Sequence, residues 1–182
     1  MLADIILPKN KHDRSTLMKR VFLAFCAFVF VGFCLAGDIR AEASDGYKSY
    51  IKTGKYEDVL FELNNAIVDR GLLVDYTGHL QTMLERTSEA VDSVTPDGSK
   101  TPYIEAKYMQ FCSAKLTHEV VSANPLNIAI CPYVVFIFEL KSDPGKIHVG
   151  YRRPIAGPSR VSRKAIAKVE ALLDEITKQA VK

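Results

Sequence analysis

The chain has 182 residues, with 24 Lys and Arg against 21 Asp and Glu, 48% hydrophobic and 25% charged. These are the proportions of an ordinary globular domain, and they exclude a disordered, collagen-like or disulfide-dense miniprotein chain. No complete catalytic signature occurs, so the sequence leans towards a non-catalytic protein and names no cofactor.

The hydrophobic fraction is concentrated in Val21–Gly37 (VFLAFCAFVFVGFCLAG), which holds no charge, proline or amide side chain. Lys19-Arg20 precede it and Ala41-Glu42-Ala43 follow, the order of a secretory signal with a small-x-small cleavage site. Cleavage is expected after Ala43, placing the product in the periplasm or outside the cell. The alternative is an N-terminal membrane anchor, because the segment reaches the short edge of the roughly 17–25 residues that span a bilayer. Lipid attachment is disfavoured because bulky Phe25 and Phe33 precede Cys26 and Cys34. Met18, directly before Lys19, is an alternative start. Residues 1–43 are therefore a signal region that meets the membrane only during export, and residues 44–182 are a single domain.

Without residues 1–43 the chain keeps 139 residues, 18 basic and 17 acidic. That near-neutral balance predicts no nucleic-acid partner, and the length suffices for one self-contained core. Cys112 and Cys131 are the cysteines that remain, and export would place them where a disulfide persists.

Along the chain, Tyr47–Lys52 alternates as a strand. Tyr56, Val59, Leu60, Leu63, Ile67 and Val68 then recur at helical spacing, with Gly71 as the left-handed stop. Residues 72–77 read as a strand, 80–91 as a short helix, 95–99 as a loop and Tyr103–Phe111 as a strand. Ser113 caps a helix with Leu116, Val120 and Ala123 inward, ended by Asn124-Pro125. Ile128–Leu140 (IAICPYVVFIFEL) is apolar on both alternating faces, the pattern of a central strand covered on both sides, with Pro132 at a bulge or unpaired position. Asp143-Pro144-Gly145 turns into a hairpin strand over 146–151, and a final helix starts near Ser162. This order predicts an α+β fold, a two-layer sandwich of amphipathic helices on a mixed β-sheet.

The segments Phe111-Cys112-Ser113-Ala114-Lys115-Leu116, Ala123-Asn124-Pro125 and Ile130-Cys131-Pro132-Tyr133-Val134-Val135 together resemble the core of the domain of unknown function 302 family, over roughly residues 47–180. Ser113-Ala114 stands where that family usually has Asn-Pro, and Cys131-Pro132 reverses its more familiar order. The resemblance implies a compact α+β fold, frequent homodimers, both exported and cytoplasmic members, and no established activity.

The residues with chemistry to offer are few. Cys112 lies before a helix, where the positive end of the helix dipole lowers a thiol pKa; the plainer reading is a small packing residue, as for Cys131. A Cys112–Cys131 disulfide is a third reading. A helical crossover to a parallel strand would set the two far beyond the roughly 7 Å Cα limit, whereas an antiparallel arrangement would bring them together. His79, His118 and His148 show no metal-ligand spacing, yet Cys112 with His118 or His148 offers soft ligands for copper or haem iron. Arg152, Arg153, Arg160, Arg163, Lys164 and Lys168 form a basic run near the last helix; Arg152, Arg153, Arg163 and Lys164 are candidates for holding an anion, against a solvated positive loop. The expected protein is an exported, non-catalytic module that binds a small ligand or another protein, as a homodimer. The alternative is a thiol- or metal-dependent redox accessory centred on Cys112.

Overall fold

The computed structural model describes residues 41–91, 95 and 98–182. The proposed leader up to residue 40 lies outside them. Among the described residues no helix is long and apolar enough to cross a membrane. The elements are β1 (Ala41–Ala43), β2 (Tyr47–Thr53), α1 (Tyr56–Val68), β3 (Val74–His79), α2 (Leu80–Thr87), β4 (Tyr103–Phe111), α3 (Ala114–Ala123), a 3₁₀ turn (Pro125–Ile130), β5 (Tyr133–Leu140), β6 (Lys146–Arg152) and α4 (Arg160–Ala180). The protein is α+β, as its sequence predicts.

The sheet order is β1-β2-β6-β5-β4-β3. Every neighbouring pair is antiparallel, so the expectation of a mixed sheet is corrected. The connection from β4 to β5 through α3 is not a crossover. After Asn124 caps the 3₁₀ turn by accepting from the Leu126 N–H, the chain returns on the side it left and pairs β5 directly against β4.

Three helices cover one face of this sheet. Tyr50, Met109, Phe111, Tyr133, Val135, Ile137, Ile147, Val149 and Tyr151 point into that side and meet Val59, Leu63 and Ile67 of α1 and Ile166, Val169, Leu173 and Ile176 of α4 in one buried core. The 3.6-residue spacing of these apolar positions is what makes the two helices and specifies the side they bury. α1 packs on α4, and α3 also packs on α4. Helix α3 contributes one fully buried residue, Val120. Its position is reinforced by Asn127, whose Nδ2 donates to the Val120 carbonyl at 2.7 Å and to Ser162 Oγ at 3.1 Å.

The loops follow their residue chemistry. Gly71 ends α1 at φ 69° and Gly145 completes the β5–β6 turn at φ 80°, both left-handed conformations that favour glycine. Ser113 and Ser159 cap α3 and α4. Several expected boundaries shift: the strand expected over 72–77 runs Val74–His79, and the helix expected over 80–91 ends at Thr87. Residues 128–130 belong to the 3₁₀ turn, and Pro132 stands just ahead of β5, where its missing N–H costs no ladder bond. β1 was not foreseen: the cleavage motif Ala41-Glu42-Ala43 is itself paired with β2.

A polar cluster ties the β2–β6 edge to α4. Asp174 accepts from the Tyr50 hydroxyl, from Tyr151 Oη at 3.4 Å, and pairs with Lys48 at 2.7 Å and Lys178 at 2.7 Å. Burial works against its charge, but the bonds from Lys178, Lys48 and Tyr50 hold this carboxyl far below the usual carboxylate range. A depressed carboxylate pKa adds stability above its unfolded value that disappears as pH falls through the folded one. Replacing Asp174 by Asn is therefore expected to cost about 2 kcal/mol at neutral pH and to flatten the acid limb of stability, as read from urea unfolding across the acidic range.

Candidate functional site

Among the described residues, the other face of the sheet has no such three-helix layer. Register places Tyr47, Ser49, Ile51, Phe136, Phe138, His148, Gly150 and Arg152 on it, since Phe136 pairs with Gly150, Phe138 with His148 and Tyr47 with Arg152. Tyr103 and Tyr108 continue the face on β4 and Tyr76 on β3. Helix α2 packs on β4, where Leu80, Met83 and Arg86 share a groove with Tyr76, Gly78 and Tyr108.

The side chains here pack on one another. His148 stacks on Phe138 with centroids 4.5 Å apart and planes 8° apart, Tyr103 meets Phe138 edge-on at 5.5 Å, and Tyr47 meets Phe136 at 6.4 Å. Such pairs each contribute about 0.5–1.5 kcal/mol beyond area burial. The Phe136 ring lies across Gly150, where an added Cβ would fall 2.4 Å from the ring, and the Tyr108 ring fills the corresponding space at Gly78. The rings nonetheless remain half-buried, with Tyr47 and Tyr76 exposed. A contiguous aromatic strip left partly in water is characteristic of a recognition surface.

His148 is the titratable group in this strip. Burial pushes its imidazole below the ordinary value, with Glu42 and Asp143 pulling it back in part. Glu42 also accepts from the Tyr47 hydroxyl at 2.8 Å, so an edge-strand residue closes one margin of the strip.

Cys112 and Cys131 are bonded to each other, with Cα atoms 6.2 Å apart. The crossover geometry that would have separated them is corrected by the antiparallel β4–β5 pairing: Phe111 faces Tyr133, which sets the flanking cysteines side by side. The bond closes the excursion that contains α3 and the 3₁₀ turn. Cys112 lines an open groove of about 450 Å³ with Leu72, Asp75, Thr117, His118 and Val121. Cys112 and His118 thus share a surface, but the thiolate that a copper or haem ligand requires is tied up in the disulfide. His148 pairs with Phe138, five residues along β5 from Tyr133, roughly 17 Å away at strand rise, and on the open face. Among the described residues no group of three or more His, Cys, Asp and Glu is arranged to hold a metal.

The basic run divides. Arg152 lies on the open face, whereas Arg153 turns towards α4 and pairs with Glu170 at 2.8 Å and with the Ser44 carbonyl at 3.0 Å. Lys168 pairs with Glu119, and Arg163 donates to the Pro158 carbonyl. Arg160 and Lys164 are exposed on the first turns of α4. The aromatic strip escaped the sequence reading. Its signal lay in the i, i+2 spacing of Phe136 with Phe138 and of Tyr47, Ser49 and Ile51, which identifies one face but not whether a layer covers it.

No protein-family model matches this sequence, and no curated protein matches it. The fold is similar to that in the crystal structure of an uncharacterized conserved protein, DUF302, from Bacillus stearothermophilus, with a TM-score of 0.60 at 13% identity over 75% of this chain and 99% of that one. The architecture implied by the resemblance to the domain of unknown function 302 family is therefore the one observed, and at this identity the likeness extends to the fold alone.

Two measurements follow from the site. Changing both Cys112 and Cys131 to Ser is expected to lower stability by about 3 kcal/mol through lost loop closure, read by denaturant unfolding against the parent protein in non-reducing buffer, with disulfide-linked peptides identified by mass spectrometry. For His148, the unfolded chain takes up a proton at the ordinary value of 6.5 before the folded one does. Stability contributed by the neutral ring is thus complete above that pH and lost as pH falls below it. A His148→Phe variant, which keeps the stack on Phe138, should show a shallower loss of stability between neutral and mildly acidic pH than the parent.

Proposed function

We propose that this chain is an exported, non-catalytic binding module whose docking surface is the open face of the sheet. The observation that carries this reading is the half-exposed strip of Tyr47, Phe136, Phe138, His148 and Tyr103 on the face of the sheet opposite α1, α3 and α4. Large aromatic side chains gathered at one place are the residue types that dominate interface energetics. The sequence supports export through the apolar segment 21–37 and the Ala41-Glu42-Ala43 motif.

The occupant we assign to the strip is a second copy of the chain. Two such faces stack about 10 Å apart, with rings of one strip entering the gaps of the other. Inner-strand charge on this face is sparse: Lys146 at one end is paired with Asp143 at 2.9 Å, and Arg152 stands at the other end. A face with few charges to desolvate suits an isologous contact. A thiol-centred redox role would first require the bond between Cys112 and Cys131 to open, and so takes second place.

The test is sedimentation of the chain isolated from its host, with its N-terminus sequenced in the same sample. A polypeptide beginning at Ser44, and so without β1 and the Glu42 bond to Tyr47, is expected at twice the mass of residues 44–182, and Phe138→Lys should yield the single-copy mass with unchanged far-UV circular dichroism. A mass unaffected by that substitution rules out the strip as the contact, and a chain recovered from the cell interior rules out export.

A further inference from the structure

At the end of the sheet where β5 begins and β6 finishes, a cavity of about 230 Å³ lies between the 3₁₀ turn and the segment that follows β6. Its walls are Ile130, Pro132, Val134, Ile155 and Leu173, and two cations reach it, Arg152 and Arg153. Arg153 is already engaged by Glu170 and by the Ser44 carbonyl. The Arg152 guanidinium has no hydrogen-bond or ion-pair partner among the described residues. Ile155 in its wall is 78% exposed, and Leu126 and Ile128, on the same 3₁₀ turn as Ile130, are 79% and 67% exposed. Apolar side chains left in water cost free energy that burial recovers, so these exposed aliphatic groups beside an apolar hollow favour a covering ligand.

We infer that this cavity binds a small apolar monocarboxylate, with its hydrocarbon body between Ile130, Val134 and Ile155 and its carboxylate on the Arg152 guanidinium. The size of the hollow sets the length of the body. It holds roughly eight water-sized groups at about 30 Å³ each, so a chain of about eight carbons fills it. Charge sets the head group. A planar guanidinium with all its donors free matches a carboxylate in the two-pronged geometry that a lysine cannot offer, and a neutral head group would leave those donors unmet. A cationic amphiphile is repelled by Arg152 and Arg153 together. Arg152 stands at the end of the open face, beside Tyr47, so the two sites adjoin there, while the apolar walls at Ile130, Ile155 and Leu173 lie outside the aromatic strip.

Isothermal titration of the chain isolated from its host distinguishes the outcomes, using octanoate, octanol and octylammonium below their micelle concentrations. One octanoate per chain is expected, with octanol about tenfold weaker, the equivalent of one charged hydrogen-bonding contact, and no octylammonium binding. Arg152→Gln should bring octanoate down to the level of octanol. Arg160→Gln, which removes an exposed cation outside the cavity, should leave octanoate binding unchanged. Ile155→Ser should weaken octanoate and octanol alike. Equal affinity for octanoate and octanol, or an Arg152→Gln variant that binds as the parent does, overturns the carboxylate assignment. Non-saturating uptake of several molecules per chain, or no binding of either, overturns the site itself. Sedimentation of the same samples shows whether the second copy is present, so failure of the docking surface is read separately from failure of the cavity.

Discussion

Six strands joined edge to edge make a sheet wider than three helices can cover twice. In this protein α1, α3 and α4 all lie on one side, where Val135, Ile137, Ile147 and Val149 find Leu63, Ile67, Val169, Leu173 and Ile176 across the layer. Among the described residues, only α2 lies against the other side, on β4. The outward positions of the inner strands carry aromatic residues that turn on each other instead, Phe138 against His148 and Tyr103, Phe136 across Gly150 and towards Tyr47. Apolar rings that pack only laterally keep a face in water, and this one-sided burial generates the surface on which any functional reading must draw.

The same sheet decides the fate of the cysteines. Because β4 and β5 are antiparallel neighbours, the excursion through α3 and the 3₁₀ turn leaves and returns at one end of the sheet. Helix α3 buries little besides Val120, so the disulfide, the Asn127 bonds to Val120 and Ser162, and the Lys168–Glu119 pair hold that excursion in place. At the opposite margin Asp174 performs the comparable task with polar groups, joining Tyr50, Tyr151 and Lys48 of the sheet edge to α4. Both ties attach pieces that hydrophobic burial alone secures weakly.

A shared architecture at 13% identity carries no chemistry with it, because function resides in sites set upon a fold. What distinguishes this chain is therefore local: the strip between Tyr47 and Tyr103, and the hollow at Arg152. Both sit where the helical layer stops. The first is a region that α4 and α1 do not reach, and the second is a gap between the 3₁₀ turn and the chain leaving β6.

Periodicity alone located β2, α1, β4, α3, β6 and α4, since an apolar stripe at 3.6 or 2 residues reflects which side of an element must leave water. The capping Ser113 and the Asn124-Pro125 stop also marked the ends of α3 from local chemistry. The pattern over 128–140 misled in two ways: its first residues curl into a 3₁₀ turn, and its two apolar faces suggested cover on both sides. Alternation records that Phe136 and Phe138 share a side, but not what lies above them. Strand pairing, the meeting of Cys112 with Cys131, the parting of Arg152 from Arg153 and the half-exposed aromatic face all depend on contacts between residues distant in the chain. Those are set by how the elements pack, and local sequence carries no record of it.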